Sequence, residues 1–410
     1  MLRKILYYSN IFGYLWTLCI CLFTVPMPRW VQFGGIYLFV ATWLVELFVE
    51  KRWRYKPGKE WIYYALQLAF FALAFIYWPW DGDVYFQHHA ELRVPLLAFC
   101  LIGLFGINKC YSKAIIINTM VIASVCAILF VYSMTGWREA LFSADRVTLI
   151  AECCTRYLSS HTRFDFFLIS TLIGMWYLLF HADRQPALWQ KIVYPLAALL
   201  ILFMLLHSEG RSGFFMGIAV VGLMTVIELY RLNKWLSVAV SVTALAALVV
   251  LSAHHPRIST ETMHYDLRYS YWQAASEMIK EKPVLGYGMS RAQEVFDQTC
   301  PKYVSADDCY FWEVRQRHFV DSHNQYLQAM LEFGILGLVL LLAIYVSPLV
   351  LCWGKREWWL VLFFTLISMG QSMVDMFLTG QFGILYGLLF LMSLKMPNDY
   401  SSYLSKSPRK

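Results

Sequence analysis

The chain has 410 residues, of which 59% are hydrophobic and only 15% are charged. Soluble globular domains carry about 25% charged residues, so this composition excludes an ordinary soluble enzyme and predicts an all-α integral membrane protein. The formal net charge of +7 is expected to orient the protein in its bilayer. Membrane lipids are therefore predicted partners, and nucleic acid is not.

Apolar stretches that could cross a bilayer recur along the whole chain. A transmembrane helix needs about 17 to 25 mainly apolar residues, and about twelve segments approach that length. They lie near residues 8–25, 31–49, 61–80, 92–107, 114–134, 164–181, 192–206, 212–230, 235–252, 325–352, 357–376 and 380–395. We therefore predict a multi-pass protein with about twelve transmembrane helices.

Basic residues in the short connections predict the orientation. Clusters such as 51–56 and Lys355-Arg356 fall on one side, and Lys and Arg in short loops favour the cytoplasmic side. Both termini are therefore expected in the cytoplasm. On the opposite side the basic residues are mostly Arg, whose planar fork binds phosphate oxygens in a bidentate way. This bias indicates an anionic ligand on the outer side, although Arg that contacts lipid headgroups would give the same pattern.

One outer connection is much longer than the others. Residues 253–324 exceed the usual length of a connection between helices, so we expect a functional cap with short helices of its own. The predicted organisation is nine transmembrane helices in residues 1–252, the large outer loop in 253–324, and three helices with a tail in 325–410.

Four cysteines lie in predicted outer loops: Cys153, Cys154, Cys300 and Cys309. In an oxidising compartment such residues form disulfides, and Cys300–Cys309 is one possible pair. Spacing alone does not fix the pairing.

A basic turn comes directly before the eighth predicted span. Arg211 follows Glu209 and Gly210 and opens the apolar segment on its outer side. An Arg at a helix N-terminus combines its charge with unpaired backbone N–H groups, which suits a phosphate ligand. We expect Arg211 to bind a phosphate group with Glu209 beside it; the alternative is an Arg that only extends to the membrane surface.

The long outer loop contains an amphipathic segment around Arg268. Residues 268–280 predict a helix that ends before Pro283. Helical spacing gives this helix a predicted packing face of Arg268, Trp272, Ala275 and Ile279. We expect Arg268 to bind a phosphate group, with Trp272 and the preceding Tyr265 as substrate-binding residues.

A histidine stands where the long outer loop enters the tenth predicted helix. Ser322 and Gln325 have the spacing of a capping box, so Ser322 is the predicted N-cap and His323 the first helical residue. The positive end of the helix is expected to favour the neutral imidazole that a general base needs. We expect His323 to be that base, with Asp321 and Asn324 in the substrate site; an interfacial His without chemistry is the alternative.

Together these segments resemble the O-antigen ligase and polymerase family. Two strings carry the resemblance: Arg268-x-x-x-Trp272 with Pro283-x-x-Gly286-x-Gly288, and His323-Asn324-x-Tyr326-Leu327 with Glu332-x-Gly334-x-x-Gly337-Leu338. The similarity extends from about residue 190 to about residue 345. The order and spacing of the two strings are more specific than either string alone.

The resemblance implies a GT-C-like membrane glycosyltransferase of the bacterial inner membrane, with its active site facing the periplasm. It implies transfer of a glycan from undecaprenyl diphosphate to an acceptor hydroxyl, which in the ligase branch belongs to lipid A–core oligosaccharide. The reaction is expected to be metal-independent, with no cofactor. In the family an Arg like Arg211 is associated with the lipid diphosphate, and Arg163 and Arg146 are further candidate substrate-binding residues.

These parts predict a single displacement. His323 accepts the acceptor hydroxyl proton while Arg211 and Arg268 stabilise the leaving diphosphate, so the anomeric centre inverts. Asp81-Gly82-Asp83 is a contrary indication, because acidic pairs can bind divalent cations; a simple turn is the alternative.

Three other functions stay open at this point. An O-antigen polymerase or a protein O-oligosaccharyltransferase would use the same donor, although the compact length of 410 residues favours the ligase. A secondary transporter would explain the number of helices. Transporters show half-to-half repeats and ionisable residues near mid-membrane, which this sequence does not indicate.

Overall fold

The computed structural model describes residues 2–20, 22, 29–49, 51, 58–76, 96–105, 112–158, 160–182, 185–208, 211–254, 267–304 and 322–396. The regular elements within these ranges are helices: α1 (Leu2–Ile20), α2 (Arg29–Val49), α3 (Trp61–Ile76), α4 (Leu96–Phe105), α5 (Lys113–Thr135), α6 (Trp137–Phe142), α7 (Arg146–Tyr157), α8 (His161–Phe180), α9 (Leu188–His207), α10 (Arg211–Leu232), α11 (Lys234–His254), α12 (Leu267–Glu281), α13 (Met289–Thr299), α14 (Gln325–Leu351), α15 (Glu357–Ser372) and α16 (Gly380–Lys395). A 3₁₀ turn, Cys300–Lys302, follows α13.

Among the described residues, five helices are long and apolar enough to cross a membrane: α5, α8, α9, the segment Ser212–Leu232 of α10, and α14. Their outward faces remain apolar. Leu199 of α9 is 64% exposed and Val350 of α14 is 67% exposed. Apolar surfaces of this extent mark contact with membrane or protein, and the helix lengths suit a bilayer. The chain is therefore a multi-pass membrane protein.

Each of the twelve predicted apolar segments contains a helix in the part of the chain that the structure describes. The predicted outer loop that contains Cys153 and Cys154 is mainly helical, because most of residues 135–163 fold into α6 and α7. Ile150, Ala151, Cys153 and Cys154 form the buried face of α7. The short helices expected in the long outer loop are present as α12 and α13.

The core of the bundle is built around α8. Every residue from Phe164 to Leu178 is buried, and α5, α9, α10 and α15 pack against this helix. The two ends of the chain join the same bundle, because the Tyr14 hydroxyl of α1 donates to the Leu388 carbonyl oxygen of α16 at 2.7 Å. Helices α8 and α10, which begin near Arg163 and at Arg211, therefore belong to one packed bundle.

The tenth predicted span is a broken helix, which the sequence analysis did not predict. Gly334 within α14 has φ 63° and ψ −154°, and such a break leaves the preceding carbonyl groups without helical partners. Residues 283–288, which we call the docking loop, supply those partners. Its Tyr287 N–H donates to the Leu331 carbonyl oxygen at 2.8 Å, and its Gly288 N–H donates to the Glu332 carbonyl oxygen at 2.8 Å.

Two glycines allow the docking loop to approach α14 so closely. A β-carbon on Gly286, which has φ 68°, would lie 2.7 Å from the Leu331 carbonyl oxygen, and one on Gly334 would lie 2.6 Å from the Leu285 nitrogen. Both contacts are closer than a real β-carbon tolerates, and only glycine adopts such φ values without strain. The glycines of the two family-like strings thus meet in one backbone contact that ties the cap to α14.

We expect Gly334→Ala to lower the thermal unfolding midpoint of the purified protein. The added methyl group would overlap the docking loop, and a non-glycine residue in this conformation costs about 1–3 kcal/mol. Gly222→Ala in α10 is the matched control, because a β-carbon there has nothing within 4 Å. Replacing a helical glycine by alanine increases the stability of the helix by about 1 kcal/mol. Equal midpoints for the two variants would contradict the docking role of Gly334.

Candidate active site

The start of α14 is built differently from the predicted capping box. The helix begins at Gln325, and its N-cap is Asn324, whose Oδ1 accepts from the backbone N–H groups of Tyr326 at 3.0 Å and Leu327 at 3.1 Å. A side-chain oxygen that accepts from the second and third N–H groups of a helix is the usual N-cap arrangement. The prediction that Ser322 caps this helix is therefore wrong.

Ser322 faces the protein interior instead. It is fully buried, and its hydroxyl contacts the Asn324 carbonyl oxygen at 2.9 Å and Gln328 Oε1 at 3.2 Å. The backbone N–H of Ser322 donates to the same Gln328 oxygen at 3.3 Å, and Gln328 Nε2 donates to the buried Glu332 Oε1 at 3.0 Å. These contacts occupy the Ser322 hydroxyl and fix the chain immediately before His323.

His323 precedes the N-cap, so the prediction that it is the first helical residue is also wrong. Its φ of 44° lies in the left-handed region, which costs a non-glycine residue about 1–3 kcal/mol and is concentrated at functional sites. The partly exposed imidazole stacks on the ring of Tyr271, with the centroids 6.0 Å apart and the planes at 27°. The strained backbone therefore holds the imidazole above a fixed aromatic surface.

The helix predicted around Arg268 is present as α12, but its packing face is rotated from the predicted one. The buried positions are Tyr271, Ala274, Ala275 and Met278, and Arg268, Trp272 and Ile279 lie at the edge of that face. Tyr271 is thus a site residue that the sequence analysis missed. The signal was available, because Tyr271, Ala274, Ala275 and Met278 follow the i, i+3, i+4, i+7 pattern of a buried helical face.

Trp272 joins α12 to the chain beside His323. Its Nε1 donates to the Ser322 carbonyl oxygen at 3.1 Å, while Tyr271 lies against the imidazole. Arg268 is one turn earlier on α12, and side chains three or four residues apart in a helix have Cβ atoms about 5–6 Å apart. The structure therefore places Tyr271 and Trp272 beside the segment that holds His323 and Asn324, with Arg268 one turn away on the same helix.

We expect Trp272→Phe to reduce the activity of this site by about fivefold, the effect of one lost hydrogen bond. A benzene ring is retained, while the N–H that donates to the carbonyl before His323 is removed with the pyrrole ring. Trp235→Phe is the control, since that indole is 73% exposed. A rate for Trp272→Phe equal to that of the control would mean that this hydrogen bond does not position His323.

Arg163 is connected to the start of α14 through residues 377–382, which include the first residues of α16. Its Cζ lies 5.5 Å from the centroid of the Phe382 ring, and Phe382 packs against Phe377 with centroids 5.4 Å apart. The next residue, Leu378, donates its backbone N–H to Gln325 Oε1 at 3.0 Å. One short segment therefore contacts both Arg163 and the first residue of α14.

Ser208 and Gly213, on either side of Arg211 in the sequence, lie against the same end of α8. The Ser208 hydroxyl donates to Asp165 Oδ2 at 2.7 Å, and a β-carbon on Gly213 would overlap the Asp165 carboxyl group. Asp165 is 1% exposed and lies two residues after Arg163. Arg211 opens α10, as predicted, and this arrangement places its backbone at the end of the bundle where Arg163 is found.

Other predicted site residues lie apart from this cluster or outside the described residues. The Arg146 Nη1 atom donates to the Ser143 carbonyl oxygen at 3.2 Å, and no hydrogen bond or ion pair joins Arg146 to the residues around His323 in the part of the chain that the structure describes. Tyr265, Asp321, Glu209, Asp81, Asp83, Cys309 and the side chain of Arg211 lie outside the described residues.

No group of three or more His, Cys, Asp or Glu side chains is placed to hold a metal ion within the described ranges. Near His323 these ranges bring together the imidazole, the Asn324 amide and the rings of Tyr271 and Trp272, and Arg268 lies one turn away on α12. A single proton acceptor beside a cation can activate a hydroxyl and bind an anionic leaving group.

Comparison with known proteins gives one family. Residues 196–342 match the family model described as O-antigen ligase, and this stretch runs from within α9 to within α14 and contains Arg211, Arg268 and His323. No curated protein matches the chain. The family resemblance predicted from the motifs is confirmed over residues 196–342, where the chain is similar to the O-antigen ligase family.

Proposed function

We propose that this protein transfers a glycan from undecaprenyl diphosphate to a hydroxyl of lipid A–core oligosaccharide at the periplasmic face of the bacterial inner membrane. The observation that carries the proposal is the strained backbone of His323, which stacks the imidazole on Tyr271. Backbone strain at a buried aromatic surface is costly, and proteins retain it mainly at functional sites. The family match supports an O-antigen ligase type of activity in general.

In the proposed reaction, an acceptor hydroxyl oxygen attacks the anomeric carbon of the glycan. His323 accepts the hydroxyl proton as the new carbon–oxygen bond forms, which is the role of a general base. The bond between the anomeric carbon and the diphosphate oxygen breaks at the same time. One displacement inverts the anomeric centre, and undecaprenyl diphosphate leaves with the bonding electron pair.

Arg268 and Arg211 are proposed to bind the departing diphosphate. Guanidinium groups bind phosphate oxygens in a bidentate way, and charge that develops in the transition state is stabilised most by donors already in position. Arg268 is held on α12 beside Tyr271 and Trp272. Asn324 and Trp272 contribute to substrate binding, and Arg163 is a further candidate at the same end of the bundle. We propose that the reaction needs no metal ion or other cofactor.

The proposed membrane arrangement has about twelve crossings in a GT-C-like architecture. Residues 1–252 and 325–410 form the membrane part, and residues 253–324 form a periplasmic cap. Both termini are in the cytoplasm. The helix ends that carry Arg163, Arg211 and His323 then face the periplasm, where the donor and the acceptor would meet.

The function is tested by reconstituting the protein in liposomes with undecaprenyl-diphosphate-linked glycan and lipid A–core, followed by mass spectrometry of both lipids. The expected product is lipid A–core that carries the glycan. A longer glycan on undecaprenyl diphosphate, with unmodified lipid A–core, would instead identify a polymerase. The same reaction with a chelator should retain its rate; loss of activity would refute the metal-independent mechanism and direct attention to Asp81 and Asp83.

A further inference from the structure

A cavity of about 660 Å³ lies at the end of the bundle opposite His323. Phe180, the last residue of α8, lines this cavity. The 20 residues of α8 correspond to about 30 Å of helix, so the cavity lies about the thickness of a bilayer's hydrocarbon core from the end of α8 that carries Arg163. Its main lining residues are three tryptophans with a histidine and basic residues: Trp353, Trp358, Trp359, His181, Arg231 and Lys355. This cavity is therefore distinct from the site around His323.

The cavity has the chemistry of an anion site. Among the described residues that line it, the charged side chains are basic, Arg231, Lys355 and Arg356, and none is acidic. Glu228 contacts this lining, at 3.2 Å from Arg231 Nη1 and 3.0 Å from His181 Nε2, and Glu60 interacts electrostatically with Lys355. One carboxylate is thus shared between two partners, and the lining remains basic.

The tryptophans place the cavity at the level of lipid headgroups. The Arg231 Cζ atom lies 5.7 Å from the centroid of Trp359, and Trp353 is 75% exposed. Tryptophan is enriched at membrane interfaces because one edge of its ring is polar and its faces are apolar. Basic pockets between helices on the cytoplasmic side are typical sites for anionic lipid headgroups.

A second, apolar groove of about 310 Å³ adjoins the cavity between α8, α9 and α10. Phe180 lines both spaces, and Glu228 of the groove contacts Arg231 of the cavity. The rest of the groove is mainly aliphatic and aromatic, with Ala198 and Leu202 of α9 on one wall. Both volumes suit a small-molecule site, and a basic cavity that continues into an apolar groove matches an amphiphile.

We propose that this cavity and groove bind one anionic glycerophospholipid from the leaflet opposite the His323 site, with the phosphate in the basic cavity and an acyl chain in the groove. The phosphate would contact Lys355 and Arg231, and the tryptophans would cover the glycerol region. A free phosphate ion shares the headgroup chemistry but not the chain. The groove therefore distinguishes the two ligands.

The test uses the purified full-length protein in detergent, titrated with phosphatidylglycerol or phosphatidylcholine and examined by native mass spectrometry. Phosphatidylglycerol is expected to bind more tightly than phosphatidylcholine. Lys355→Gln should lower the affinity for phosphatidylglycerol by roughly fivefold, the effect of one basic residue near an anionic lipid. Lys191→Gln is the matched control, because Lys191 is exposed at the same end of the bundle and does not line the cavity. Equal binding of the two lipids, or equal affinities of the two variants, would overturn the proposal.

Binding of the acyl chain in the groove is tested separately with Ala198→Trp. The larger side chain fills the groove and leaves the basic lining of the cavity unchanged. This variant should lower the affinity for phosphatidylglycerol and leave the affinity for inorganic phosphate unaltered. If inorganic phosphate displaces the lipid at equal concentration from the wild-type protein, the cavity is a free phosphate site and the lipid proposal fails. If Ala198→Trp binds phosphatidylglycerol as the wild type does, the groove does not hold the chain.

Discussion

Replacement of His323 by Gln is expected to reduce glycan transfer by about two to four orders of magnitude, the usual contribution of a general base. Gln retains the approximate size and polarity of the side chain but cannot accept a proton at neutral pH. The hydrogen bonds of Asn324, Ser322 and Gln328 do not involve the imidazole, so the start of α14 should persist. Initial rates of transfer to lipid A–core, with donor and acceptor saturating, measure the effect.

His323→Gly separates catalysis from structure more sharply. Glycine adopts the φ of 44° without strain, so the thermal unfolding midpoint should stay at the wild-type value or rise, although the contact with Tyr271 is lost. Transfer should still fall as far as in His323→Gln. A His323→Gln protein that inserts normally and transfers glycan at a rate close to the wild type would show that His323 is not the base.

Replacement of Arg268 by Lys is expected to reduce turnover by about a hundredfold, the typical cost of one missing donor to a transition-state anion. Lysine keeps the charge but cannot form the paired, planar contact of a guanidinium with two phosphate oxygens. Because the contact strengthens as the diphosphate leaves, the turnover number should fall at least as much as the affinity for the donor. Arg211→Lys is expected to behave in the same way.

Arg156→Lys is the control for both substitutions, since Arg156 is an exposed arginine of α7 whose Cζ lies 5.5 Å from the Tyr157 ring. It should transfer glycan at the wild-type rate. Rates near wild type for both Arg268→Lys and Arg211→Lys would refute bidentate binding of the diphosphate. A higher Michaelis constant for the donor with unchanged turnover would mean that the arginines bind the ground state only.

The positions of the membrane helices could be predicted from the sequence because apolar length is a local property. The segments predicted at 164–181 and 192–206, for example, coincide with most of α8 and α9. The break at Gly334 could not be predicted in that way. It depends on hydrogen bonds from residues 283–288, about fifty residues earlier in the chain, and within its own apolar segment Gly334 resembles an ordinary helical glycine.

The site was predicted in outline and missed in detail for a related reason. Motif spacing indicated that Arg268, Trp272 and His323 belong together, and the structure places them at one end of α12 and α14. Capping rules favoured Ser322, but burial of its hydroxyl against Gln328 removes it from the helix end and leaves Asn324 as the cap. Tyr271 was missed because the predicted packing face of α12 ran through Arg268 and Trp272, whereas the buried face runs through Tyr271, Ala274, Ala275 and Met278.

The anomeric configuration of the product tests the central claim most directly. NMR of lipid A–core glycosylated by the purified protein, compared with the configuration of the sugar in the undecaprenyl diphosphate donor, gives the stereochemical outcome. Direct attack by a hydroxyl that His323 deprotonates predicts complete inversion, with one undecaprenyl diphosphate released for each glycan joined. Retention of configuration, or a glycan covalently attached to the protein during turnover, requires two displacements and would contradict the mechanism.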